Sequence, residues 1–157
     1  MNSLERLMAA LQDLPADRPA LFLNAGLYGA KLTGAPLRDH YRDPAIYAEG
    51  QIAILETFRP DFLISPFVLA GLGEAFGSRL ATSIRQPPTV AAFAADSAEA
   101  ALRLPLPDVD SHPGILYLRE SLRSLAGQQG GQVPLIGLLV SPPDLPPLII
   151  GLEAWLD

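Results

Sequence analysis

The residues able to do chemistry are few and scattered. Between Asp61 and Ser78 there is one acid, Glu74, and no histidine, cysteine or base. Glu74 could act as a general acid or base at the mouth of a strand-and-loop unit, or simply decorate the short helix that ends at Gly77. Ser65 and Ser141 each close an apolar run. Neither has a histidine near it in sequence to activate the hydroxyl, so turn hydrogen bonds compete with chemistry as their role. Asn24, Tyr28 and Lys31 stand in a glycine-rich stretch. Asn24 and Tyr28 could contact a ligand, or satisfy loop backbone and pack beneath it. Lys31 could bind an anion or remain solvated. Asp144 reads as a helix N-cap first and a ligand second. His40 and His112 do not make a zinc site, because a catalytic zinc takes three protein ligands and these two lie far apart in the chain. His112, between Ser111 and Pro113 in an acidic linker, reads as exposed.

The elements that must position these groups follow from apolar spacing and breakers. Asn2 and Glu5 have capping-box spacing, and Leu4, Leu7, Met8 and Leu11 share one face of the helix they start. Ala20 to Leu23 reads as a first buried strand and residues 24–35 as a long glycine-bearing loop. Asp43-Pro44 starts a helix whose buried side is Ile46, Tyr47, Gly50, Ile54 and Phe58. Pro60-Asp61 stops it, Phe62 to Ile64 is a second strand, and a helical stretch closes at Gly77. Arg79 to Pro88 reads as irregular, Thr89 to Phe93 as an edge strand, and Ala98 to Leu102 as a short helix capped by Asp96 and Glu99. A linker over Pro105 to Pro113 leads to a helix from Gly114 to about Leu125, stopped by Gly-Gln-Gln-Gly-Gly. Val133 to Val140 is the third strand, and a final helix runs from Leu145 to Leu156. The alternation predicts an α/β fold with parallel strands and right-handed crossovers. Three strands leave an unpaired apolar edge, which predicts self-association or a covering partner.

Composition narrows the classes. The 157 residues, 49% of them hydrophobic, suffice for one domain with a real core. A formal charge of −6 disfavours nucleic acid and anionic membranes as partners. There is no cysteine, hence no disulfide or thiolate metal site within the chain. The N-terminal stretch lacks a signal-peptide pattern, and no window approaches the roughly 18 apolar residues of a membrane span, so a cytoplasmic protein is expected.

Four stretches carry a family resemblance. They are Arg18 to Tyr28, Asp43-Pro44 with Ala48-Glu49-Gly50-Gln51, Asp61 to Gly77 ending in Glu-Ala-Phe-Gly, and Gln132 to Gly151. In order and spacing they resemble the N-terminal half of the uroporphyrinogen decarboxylase superfamily, which also contains corrinoid-dependent methyltransferases. The resemblance implies a partial TIM (β/α)8 barrel, roughly its first three βα units, with residues 1–157 as the N-terminal half and the C-terminal half absent.

Departures from the family pattern shape the functional expectation. The decarboxylases hold a polycarboxylate tetrapyrrole with two arginines, a central aspartate and a tyrosine, and those positions align here with Leu23, Leu27, Val68 and Leu148. Leucine and valine can neither pair a carboxylate nor hydrogen-bond a pyrrole N–H. The resemblance therefore points to the methyltransferase-like branch, with methyl transfer from a corrinoid to a thiol acceptor. Such an enzyme implies zinc and a corrinoid supplied outside this chain, a missing barrel half or homo-oligomer as partner, and a corrinoid protein as donor. A decarboxylase acting on another carboxylate substrate, and a non-catalytic binding or interaction module, remain the alternatives.

Overall fold

The computed structural model describes residues 1–156. Its first helix, α1 (Ser3–Leu11), starts at the capping box read from the sequence: the Asn2 side chain accepts from Glu5 N–H, and the Glu5 carboxylate accepts from Asn2 N–H. No strand follows. Residues 20–23 join no ladder, which corrects the first expected strand. The Leu21 N–H is taken by the buried Asp61 carboxylate at 2.7 Å, and a single backbone bond runs from Asp61 N–H to the Leu21 carbonyl. The flanking Pro19 and Pro60 have no N–H to extend the pairing.

The glycine-bearing stretch is also corrected: Gly26–Thr33 forms helix α2, ended by Gly34 at φ 74°. A short α3 (Leu37–His40) leads into α4 (Pro44–Phe58), whose first N–H groups are capped by Asp43 as expected. Tyr47, Gly50 and Ile54 are buried on α4, while Phe58 is exposed beside Tyr28. Helices α2 and α4 cross at two glycines. A Cβ on Gly29 would stand 2.7 Å from the Gly50 carbonyl carbon, so this approach admits no side chain.

Strand β1 (Leu63–Ile64) is followed by α5 (Leu69–Ala75), then β2 (Arg79–Ala81) and β3 (Thr89–Ala92). The segment after Gly77 is thus not irregular: β2 and β3 form their own antiparallel pair. Helix α6 (Ala98–Ala101) is capped by Ser97, whose hydroxyl accepts from Ala100 N–H. His112 is half-buried, not exposed, and caps α7 (Pro113–Gln129) through Nδ1, which accepts from Gly114 N–H. That helix runs a turn further than its sequence suggested and stops at Gly130, φ 59°.

The third strand is the short β4 (Leu135–Ile136), parallel to β1 in the register Leu63↔Leu135 and Ile64↔Ile136. Its continuation is cut off because Leu138 N–H donates to the Ser65 hydroxyl rather than to strand backbone. A 3-10 turn (Pro142–Asp144), α8 (Leu145–Ile149) and α9 (Leu152–Leu156) complete the described chain. The expected single last helix breaks at Gly151, φ 88°, where any Cβ would meet the Phe93 ring at 2.9 Å. The fold is mixed α/β with two two-stranded sheets among the described residues, not one three-stranded parallel sheet.

The core lies where α4 and α7 pack side by side over β1 and β4: Ala48, Leu55, Leu63, Leu125 and Val133, with Ile52 and Leu135 against them. At the foot of β1, Asp61 accepts five hydrogen bonds, from Ser3, Arg6, two Arg18 nitrogens and Leu21 N–H. Burial pushes its carboxyl upward, but these donors outweigh burial and hold it at about 2. Asp61→Ala should therefore cost about 3 kcal/mol, at the low end for a broken buried pair because Arg18 can resolvate. In the parent chain, stability from this carboxylate is full above pH 3.8 and is lost as pH falls toward 2. Denaturant midpoints from pH 5 to pH 2 should fall in the parent and fall less in Asp61→Ala.

Candidate functional site

Two tyrosines of the α4 and α7 pair fix the C-terminal end of β1. Tyr47 donates from its hydroxyl to the Ile64 carbonyl at 2.9 Å, and Tyr117 donates to the His40 carbonyl at 2.7 Å. The two rings meet edge to face, with centroids 6.5 Å apart. Burial pushes both phenols well above their ordinary range, so they serve as neutral donors. His40 completes the cluster, its ring 5.1 Å from Tyr47 and 5.6 Å from Tyr41. It is fully buried; Nε2 lies 2.9 Å from the Gly26 carbonyl, which makes Nε2 the protonated nitrogen, and Nδ1 has no partner.

Above this cluster, at the end of β1, two adjoining clefts open. One, of about 390 Å³, is lined by Asn24, Gly26, Leu27, Ile64 and Phe67 among others. The second, of about 350 Å³, is lined by Arg42, Gly71, Leu72, Glu74, Thr82 and Tyr117 among others. Tyr41, Val68 and Pro88 border both, so the pair is one bipartite cleft with Tyr41 at its waist. Its position at the carboxyl end of parallel strands is where α/β folds place ligands.

The residues singled out from sequence divide accordingly. Asn24 and Glu74 line the cleft, one in each part. Tyr28 does not: its ring packs at 5.7 Å against Phe58, and Lys31 sits over its face at 5.1 Å, a cation–π contact on the protein exterior. Ser65 is buried and structural; its hydroxyl accepts from Leu138 N–H and its own N–H donates to Ile136, locking β4 to β1. Ser141 donates to the Asp144 carboxylate at 2.5 Å. Asp144 caps no helix N–H, because the positions it would accept from are Pro146 and Pro147, which have none. Sequence reasoning missed Tyr41 and Arg42. Their signal was an aromatic and a base directly ahead of the Asp43 cap, but only the packing of α3 against α4 and α7, through His40, brings them to the cleft.

A family model described as uroporphyrinogen decarboxylase (URO-D) matches residues 2–156. The chain belongs to the uroporphyrinogen decarboxylase family. Among solved structures, this family member is similar to a methyltransferase from Methanosarcina mazei, with a TM-score of 0.83 at 19% identity. The match covers 99% of this chain and 47% of that one, so the chain spans about half the length of its structural neighbour. At that identity the likeness is one of fold. No curated protein matches the chain. Of the four aliphatic replacements expected from the family pattern, Leu27 and Val68 line the cleft. Leu148 instead packs over Gly73 and accepts a hydrogen bond from Ser78 at its carbonyl.

Burial holds the His40 imidazole below its ordinary 6.5, with the Gly26 contact opposing the shift. An unfolded chain thus takes up the proton first as pH falls, so His40 favours folding fully above about pH 6.5 and less below it. Urea midpoints measured from pH 8 to pH 5 should decline on the acid side. His40→Gln, which keeps an N–H to offer Gly26, should flatten that decline.

Proposed function

We propose that this chain is the N-terminal half, residues 1–157, of a (β/α)8 barrel of the methyltransferase-like branch. In this reading it builds the acceptor-binding wall of an enzyme that moves a methyl group from a corrinoid to a thiol. The observation that carries the reading is the bipartite cleft at the end of β1 in a member of this family whose fold matches half of a methyltransferase. Aliphatic side chains at Leu27 and Val68 suit a small acceptor of few charges better than a polycarboxylate macrocycle. The clefts have the volume of small-molecule sites.

The donor set for zinc does not fit within this chain. Among the described residues no three His, Cys, Asp or Glu side chains converge, and the sequence has no cysteine. The zinc ligands and the corrinoid contacts therefore belong to the partner half or a corrinoid protein, and no step of this chain's work is routed through them. What these residues do is bind and orient. Arg42 and Glu74 offer opposite charges to the acceptor, Tyr41 offers its hydroxyl at the waist, and the Leu27 to Phe67 side excludes water.

The test combines native mass spectrometry of the chain from its own host with an assay of methylcobalamin demethylation by a thiol. A complex with a zinc-bearing barrel half that turns over, beside no turnover by the isolated chain, is the expected result. In that complex Glu74→Gln should raise the KM for the acceptor about tenfold or more, as loss of a charged contact does. A lone 16.7 kDa species that stays inactive with every added half would overturn the reading in favour of a non-catalytic binding module.

A further inference from the structure

Most arginines of this chain are neutralised locally. Arg6, Arg18, Arg38, Arg103, Arg119 and Arg123 all take part in ion pairs. Arg42 and Glu74 take part in none formed among the described residues, yet both line the same cleft of about 350 Å³. Arg42 enters from the turn between α3 and α4, and Glu74 from α5, so the two charges stand on different walls. The same lining includes Val68, Leu72 and Leu80, which are apolar, and Tyr41. Opposite charges that share a small space without pairing leave room for a ligand to bridge them.

We infer that this part of the cleft takes a small zwitterion of amino-acid size. Its anionic group sits on the Arg42 guanidinium, its ammonium on the Glu74 carboxylate, and its short apolar middle on Val68 and Leu72. The Tyr41 hydroxyl adds one hydrogen bond. A simple anion would leave Glu74 facing an apolar ligand end, and a simple cation would do the same to Arg42, so each loses a charged contact. The chain's net charge of −6 also slows the encounter with a bare anion but not with a neutral zwitterion. A polycarboxylate finds one cation in this cleft and an opposing acid. This assignment rests on the reading of the cleft as an acceptor site and gives the class of the thiol acceptor: a zwitterion that also carries the thiol.

The experiment is an NMR titration of the full chain with 4-aminobutanoate, butanoate and butylammonium, following the Gly71, Thr82 and Gly114 amides. The zwitterion should bind about tenfold or more tightly than either singly charged analogue. Arg42→Gln should bring 4-aminobutanoate down to the level of butylammonium, and Glu74→Gln down to that of butanoate. Both side chains are exposed, so circular dichroism should show both variants folded as the parent. Equal binding of all three probes, absence of saturable shifts with 4-aminobutanoate, or a preference that survives both substitutions would overturn the assignment. Binding needs neither corrinoid nor zinc, so a failed methyl-transfer assay beside a successful titration would sink the enzymatic reading alone.

Discussion

A carboxylate buried at the foot of β1 constrains everything else. Asp61 is 1% exposed, and an unpaired charge there would be intolerable. Its five donors come from α1, from Arg18 and from Leu21, so this one group recruits the N-terminal helix and the segment after it. Arg6 is shared: it reaches Asp61 with one nitrogen and grips Asp17 with two others. That grip holds the Asp17 carboxyl well below its ordinary range. With the lower end of β1 fastened in this way, its upper end is free to be positioned by Tyr47, and the cleft inherits a fixed floor.

The two ends of β1 are thus solved by different chemistry. The lower end uses charge, in a place where several donors can surround one acceptor. The upper end uses neutral phenols and a neutral imidazole, each satisfying one backbone carbonyl without bringing a formal charge beneath the cleft. Because that layer is uncharged, the charges of Arg42 and Glu74 at the cleft are not answered from below. The cleft lining thus joins these two charged groups to the aliphatic Val68, Leu72 and Leu80.

Much of this was legible in the sequence where local rules decide. The Asn2 and Glu5 capping box, the Asp43-Pro44 start, the Gly77 and Gly130 stops and the parallel relation of β1 to β4 all follow from caps, breakers and alternation. The misses share a cause, which is a side chain replacing a backbone partner at long range. Asp61 takes the N–H that would have made Leu21 a strand residue, and Ser65 takes the N–H that would have extended β4. No window of sequence around Leu21 or Leu138 contains that information. The cleft was legible only in part: Glu74 follows β1 as read and Asn24 lines the cleft although no strand precedes it, whereas Tyr41 and Arg42 become cleft residues only once α3 packs against α4.

The pairing of β1 with β4 has a consequence in time. Leu63 and Ile64 have no partner in their sheet until Leu135 and Ile136 have been made, 72 residues later. At ribosomal speeds of roughly 5–20 residues per second, the apolar strand waits about 4–14 s for it. The Tyr117 bond to His40 closes a slightly longer loop, of 77 residues. During that interval α1 can gather around Asp61 and α2 can pack on α4, but the edge of β1 that β4 will pair with stays open to other chains. Nascent copies on one message are then at their most vulnerable to one another, and a chaperone or fast translation across residues 65–134 would protect them at that stage.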